Sequence, residues 1–132
     1  MEKSAKIMGT IIGDTIGSTY EFNPTKDYNF SLYNDEMDYT DDSIMTIAVA
    51  DWILNDSYLS PENLAQTMRR YGNQYFHPKG GYGHLFSEWL TRSDMKAYNS
   101  WGNGAAMRVS AIGFDFSTLE ETLKVAEISS AV

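Results

Sequence analysis

The sequence contains no cysteine, so disulfides, thiolate metal sites and cysteine nucleophiles are excluded from its chemistry. Only three prolines are present, and no low-complexity linker or internal repeat divides the chain. No stretch approaches the run of about 18 apolar residues that a membrane span needs. The N-terminus, Met1-Glu2-Lys3-Ser4, leads directly into a patterned segment, without the apolar stretch and small-residue cleavage site of a secretory signal. Basic residues are few, 10 Lys and Arg against 18 Asp and Glu, for a formal charge of −8. Such a surface repels phosphate backbones and argues against non-specific nucleic-acid binding, although a local phosphate pocket stays compatible with it. The same balance suits a site that concentrates carboxylates around a divalent cation. These absences together accord with a cytoplasmic protein without a membrane segment.

What is present is enough for one domain. Of 132 residues, 42% are apolar, which is sufficient for a single hydrophobic core. Most patterned segments have helical period. The first runs from about Ala5 to Thr19, with Gly9, Gly13 and Gly17 on one face, where their small size predicts close approach of another backbone. Residues 23–39 read as a loop with a turn at Asn23-Pro24. A helix starting near Asp41 is apolar on nearly every side, through Ile44, Met45, Ile47, Val49, Trp52 and Ile53, and so predicts a central place in a bundle. Ser60-Pro61-Glu62 marks another start, with Ser60 as cap and Pro61 first in the helix. The stripe after it, with Tyr71, Tyr75 and Phe76, reads as core. His77 to Gly83 form a loop, and neither His77 nor His84 has a carboxylate spaced with it for a zinc set. A short helix follows through Leu85, Phe86, Trp89 and Leu90. A turn at Asn99–Asn103 precedes a small-residue helix from Gly104, and Ser117-Thr118-Leu119-Glu120 is a capping-box pattern opening the last segment.

Three segments carry chemistry. Thr40-Asp41-Asp42-Ser43 places two carboxylates and two hydroxyls where the buried helix begins. They serve equally as helix caps or as pre-oriented oxygen ligands for a hard cation such as magnesium. Gly13-Asp14-Thr15-Ile16-Gly17-Ser18-Thr19-Tyr20-Glu21 is either a capped helix end or part of the same site. In Ser100-Trp101-Gly102-Asn103-Gly104-Ala105-Ala106-Met107-Arg108, the glycines let a ligand approach the backbone. The helix after them directs N–H groups at an anion, or is an ordinary packing helix after a turn. No Ser/His/Asp triad and no dinucleotide fingerprint is present: no strand precedes Gly80-Gly81-Tyr82-Gly83.

In this order and approximate separation, Gly13-Asp14-x-x-Gly17-Ser18-x-Tyr20-Glu21, Thr40-Asp41-Asp42-Ser43-x-Met45 and Gly102-Asn103-Gly104-Ala105-Ala106-Met107-Arg108 resemble the ADP-ribosylglycohydrolase family. This family includes the dinitrogenase reductase-activating glycohydrolases. The resemblance spans almost the whole chain and implies an all-α bundle with a two-magnesium site. It implies Thr40, Asp41 and Asp42 as metal ligands, with Glu21, Asp41 and Asp42 in the catalytic machinery. Ser100, Gly102, Asn103 and Gly104 correspond to the ADP-ribose contact, and Asp14 to a structural position. The implied reaction is hydrolysis at the anomeric carbon of ADP-ribose, linked to a protein or a small molecule.

The family's domain is longer. Its second half supplies a further aspartate-rich metal motif, and Asp115-Phe116-Ser117, the nearest match here, lacks the second aspartate. Some members carry a catalytic aspartate in the loop where Tyr82 and Gly83 fall. Residues 1–132 are therefore expected to form the N-terminal part of the domain, an incomplete bundle with at most part of the metal site. Exposed apolar surface would then favour self-association or a complementing second chain. Three functions stay open: a magnesium-dependent ADP-ribosyl hydrolase, a non-catalytic ADP-ribose-binding module, and a structural remnant of the family.

Overall fold

A computed structural model describes the backbone of residues 3–132 and the side chains from Lys6 onward. Among these residues there are seven helices and no strand: α1 (Lys3–Gly17), α2 (Asp41–Asn55), α3 (Pro61–Gln74), α4 (His84–Thr91), α5 (Gly104–Met107), α6 (Ser110–Asp115) and α7 (Leu119–Ser130). The architecture is all-α, as expected, and none of these helices is long and apolar enough to cross a membrane.

The central helix is α2, because its residues leave it no polar face to give to water. Ile44, Met45, Ala48, Val49 and Trp52 are all buried, and α1, α3, α5 and α6 all pack against α2. Its broadest contact is with α3, which contributes Leu64, Ala65 and Met68 to the core. Each large apolar side chain buried this way stabilises the fold by about 1.5–3 kcal/mol.

The turn from α2 to α3 is held by one carboxylate. Asp56 accepts hydrogen bonds from the N–H groups of Tyr58 (3.0 Å) and Ser60 (2.9 Å) and from the Asn63 amide (2.8 Å). Between them Leu59 has φ 51°, the one non-glycine residue with positive φ among the described residues, at a cost of about 1–2 kcal/mol. Its side chain packs on the core. Ser60 caps α3 as expected, accepting from Asn63 N–H, and Pro61 occupies the first turn. Further along α3, Arg69 donates to the carbonyls of Trp89 and Asp94, both at 2.7 Å, and lies over the Trp89 ring at 4.8 Å. It thereby fastens the end of α4.

Several expectations are corrected. Nothing lies within 4 Å of where a Cβ would stand at Gly9, Gly13 or Gly17, so no backbone packs closely on that face among the described residues. The aromatic stripe reaches the core only at Tyr71. Tyr75 and Phe76 are exposed, because the helix ends at Gln74 and releases them. His84 is not a loop residue but opens α4 and lies 3.2 Å from Glu88 one turn on. The small-residue helix from Gly104 is a single turn, and the chain re-enters a helix at Ser110. The last helix is capped one residue later than its pattern predicts: Thr118 accepts from Glu121 N–H, and the Glu121 carboxylate bonds back to the Thr118 hydroxyl at 2.8 Å.

Candidate functional site

The site is built around a carboxylate that is not itself in the cleft. Asp14, in the last turn of α1, accepts four hydrogen bonds from the start of α2. The donors are Thr40 N–H (2.9 Å), the Thr40 hydroxyl (2.5 Å), Ser43 N–H (3.2 Å) and the Ser43 hydroxyl (2.5 Å). Charge-assisted bonds of this kind are the strong ones, and here they join two segments separated by the long loop 18–40. That loop fastens itself: Ser18 Oγ accepts from Asp38 N–H (3.2 Å) and the Tyr20 hydroxyl donates to the Ser31 carbonyl (2.7 Å). The Tyr20 and Phe30 rings meet edge to face at 5.2 Å. Glu21, a few residues past α1, is consequently set near the N-terminus of α2.

There Asp41 and Asp42 begin the helix. Burial, then the neighbouring charges of Asp42, Glu21 and Asp14, push the Asp41 carboxyl up to about 6. Burial, then Asp14 and Glu21, likewise raise Asp42. Neither aspartate has a Lys or Arg ion-pair partner among the described residues. Thr40 is buried, and its hydroxyl donates to Asp14 while accepting from Asp42 N–H at 3.2 Å. One acceptor lone pair is left on it. This oxygen-only donor set, with like charges gathered and no cation supplied, fits part of the shell of a hard divalent cation. Among the described residues no three His, Asp or Glu side chains are gathered to hold a metal ion by themselves.

The glycine loop before α4 closes on the same region. Gly80 and Gly81 have φ of 79° and 76°, conformations that favour glycine. A Cβ on Gly80 would stand 3.0 Å from Glu21 Oε2. Lys79 N–H donates to the Tyr39 carbonyl at 3.2 Å, and its ammonium donates to the Glu36 carbonyl. Tyr82 donates its hydroxyl to the Tyr75 carbonyl (2.8 Å), and burial, then the charge of Asp41, raises its pKa strongly.

Beside this cluster opens a cleft of about 470 Å³, walled by Asp41, Met45, Phe86, Tyr98, Arg108 and the loop Ser100–Gly104. The Ser100 hydroxyl accepts from Gly102 N–H at 3.2 Å, which tightens the loop. The Asn103 carbonyl starts α5, whereas its side chain makes no capping bond. Trp101 stands 98% exposed at the rim. Thus Glu21, Thr40, Asp41 and Asp42 come together as one group and Ser100, Gly102, Asn103 and Gly104 as another, with Asp41 common to both. A larger depression, of about 610 Å³, lies toward the other end of α2. Its charged walls are already satisfied, since Asp51 pairs with Arg70 and Asp56 is hydrogen-bonded on both oxygens. It holds none of the motif residues.

Sequence reasoning missed Tyr82, Phe86 and Tyr98, aromatics that carry no motif signal of their own. It also missed Arg108 as a cleft residue, although Arg108 ends the third motif.

The sequence profile of the ADP-ribosylglycohydrolase family matches residues 5–132. The chain is 30% identical to ADP-ribosylhydrolase ARH3 of Xenopus tropicalis over an alignment 148 positions long, gaps included, that covers 93% of this chain and 42% of that protein. It is 26% identical to ADP-ribosylhydrolase ARH3 of Homo sapiens over a gapped alignment of 155 positions, covering 94% of this chain and 42% of that protein. The Mus musculus protein of the same name is also 26% identical, with 94% and 41% covered. The chain thus spans less than half the length of these relatives. No solved structure matches it.

Proposed function

This chain belongs to the ADP-ribosylglycohydrolase family, and from that footing we propose that it carries one half of a magnesium-dependent site for hydrolysis of an ADP-ribosyl N- or O-glycosidic bond. The observation that supports this reading most is the position of Asp41. It stands among the carboxylates at the start of α2 and also in the wall of the cleft that contains the Ser100–Gly104 loop.

In this reading the loop Ser100–Gly104 and the free Asn103 side chain orient the nucleotide part of the substrate. The ribosyl end lies against Asp41. The Asp41 carboxylate accepts a proton from the water that attacks the anomeric carbon as the glycosidic bond breaks, and that proton passes to the departing nitrogen or oxygen. The charges of Asp42 and Glu21 stabilise the positive charge that develops on the sugar. Thr40, Asp41 and Asp42 would hold the magnesium, which when bound would supply Lewis-acid polarisation of a water. The fold leaves Met8, Ile12, Leu54, Leu119 and Leu123 exposed, and we attribute this apolar surface to contact with further polypeptide, a second copy or a complementing chain.

A second reading is favoured by the absence of a three-ligand cluster among the described residues: a module that binds ADP-ribose without turnover. Calorimetric titration with magnesium and ADP-ribose separates the two. ADP-ribose binding that requires magnesium, and that is lost when Asp41 and Asp42 are both changed to alanine, supports the hydrolase half-site. Binding that survives both changes favours the module. No binding of either ligand assigns the chain a structural role. Sedimentation of the same sample tests self-association, and a monomer at high concentration would refute the second copy as the occupant of that surface.

A further inference from the structure

We propose that Gly80 is a positioning residue: by having no side chain, it lets the Glu21 carboxylate lie against the turn 78–81 and so fixes that charge near the start of α2. The assignment rests on reading the start of α2 as a divalent-cation site and adds to that reading a residue outside Thr40 and the carboxylates.

Glu21 needs such a support. It lies past the last residue of α1, exposed on the loop 18–40. No hydrogen bond or ion pair holds its carboxylate among the described residues. Its charge nevertheless acts on both Asp41 and Asp42. A glutamate side chain has much rotamer freedom to lose, so packing is what remains to restrict it. The packing partner is Gly80. A Cβ there would stand 3.0 Å from Glu21 Oε2 and 3.3 Å from Phe22 Cε2, closer than ordinary van der Waals contact. A methyl group at Gly80 would therefore displace the carboxylate, because the end of an exposed side chain yields before a backbone does.

The turn itself is held firmly. Gly81 N–H donates to the carbonyl of Pro78 at 3.0 Å, and Pro78 is buried. Lys79 N–H donates to the Tyr39 carbonyl at 3.2 Å, and the Lys79 ammonium donates to the Glu36 carbonyl. Tyr39 immediately precedes Thr40, so these bonds tie the turn to the start of α2. Glu21, arriving from the other end of the loop 18–40, rests on a surface that α2 has already located.

The neighbouring glycine supplies the control. Gly80 and Gly81 have φ of 79° and 76°, so a side chain strains the backbone at either position. Nothing lies within 4 Å of a Cβ at Gly81. The two positions thus share the strain and differ in the contact with Glu21.

Magnesium alone is the probe, titrated calorimetrically into the full chain. A carboxylate moved away from a divalent cation attracts it less, so Gly80→Ala should weaken binding roughly three-fold and Gly81→Ala less than about two-fold. The urea midpoint should fall by a similar amount in both. In a Glu21→Gln background Gly80→Ala should leave magnesium affinity unchanged, since no charge is left to displace, whereas a merely structural role would persist there. A nuclear Overhauser contact between the Gly80 Hα and Glu21 Hγ protons of the wild type reads the packing without any metal. Absence of that contact overturns the assignment, and so does equal magnesium affinity in the two glycine variants or an effect of Gly80→Ala that survives Glu21→Gln. Absence of the contact with magnesium still bound removes Gly80 alone and leaves the cation site standing. No magnesium binding by the wild type, with the contact present, overturns the cation site and the role of Gly80 in it together. If the alanine variants do not fold, Gly80→Asn and Gly81→Asn repeat the comparison with the same outcomes, because asparagine tolerates positive φ.

Discussion

The two ends of α2 both carry aspartates, and the protein treats them in opposite ways. At the C-terminal end the Asn63 amide, with the N–H groups of Ser60 and Tyr58, surrounds Asp56 and holds its carboxyl below the ordinary value. At the N-terminal end burial and three neighbouring carboxylates push Asp41 up to about 6. Donors are not lacking there. Four of them converge on Asp14, a few residues away in space. The comparison teaches that the fold surrounds with donors the carboxylates it uses to position elements, whereas burial and like charge dominate at Asp41 and Asp42. Carboxylates raised in this way cluster at functional sites.

The comparison can be broken most decisively at Asp14. Asp14→Ala should strand four donors and lower stability by about 3 kcal/mol, measured by urea unfolding; a loss no larger than that of an average surface substitution would show that the junction does not hold α1 to α2. Asp56→Ala should cost less. Its lowered pKa means that the Asp56 carboxylate stabilises the fold above 3.8, with the contribution lost as pH falls through the folded value. The difference between variant and wild type should therefore close on acidification. Thr40→Val removes the cap and one bond to Asp14, and should cost about 1–2 kcal/mol.

The opposite sign is expected at Asp41. The folded carboxyl keeps its proton up to about 6, against 3.8 for an unperturbed aspartate. Its contribution is thus fully favourable below 3.8 and is lost as pH rises toward 6. Asp41→Asn should accordingly raise the melting temperature at neutral pH in a chelator, by a stabilisation of about 1 kcal/mol after allowance for solvent screening. It should also flatten the stability profile across that window. A melting temperature that falls would mean that Asp41 is structural like Asp14. The smallest effect belongs to Glu21→Gln, which removes one of the lesser like charges acting on Asp41. The midpoint of the same pH profile should move slightly downward, and an unmoved or raised midpoint would place Glu21 outside the cluster.

The start of α2 was legible because capping chemistry is local: Thr40 and Ser60 bond within three residues of themselves. The centrality of α2 was legible because an all-apolar helix has one place to go. The single turn of α5, and the slip of the α7 cap from Ser117 to Thr118, were not. Ser117 and Thr118 are adjacent, both exposed and both able to cap a helix, so the pattern alone does not choose between them. The pairing of Asp14 with Thr40 and Ser43 was hidden by a separation of 26–29 residues, since no short-range pattern encodes such a contact. The motif segments themselves were visible, and what the sequence did not show is that Asp41 joins the carboxylate group to the cleft. The cleft aromatics Phe86 and Tyr98 were hidden for a simpler reason. An aromatic that lines a cleft and one that fills a core obey the same hydrophobic pattern.

The knot between Asp14 and the start of α2 has a consequence for anyone cutting the chain. It clasps both ends of the loop 18–40, whose middle, from Asn23 to Leu32, is exposed throughout. Trypsin acting at Lys26 would sever the covalent connection, yet the two pieces would travel together through a column. Within that exposed stretch, Asn23 to Asn29, short of the Phe30 and Ser31 contacts with Tyr20, is where a purification handle or a fluorescent tag can be spliced in without disturbing the carboxylates the loop surrounds.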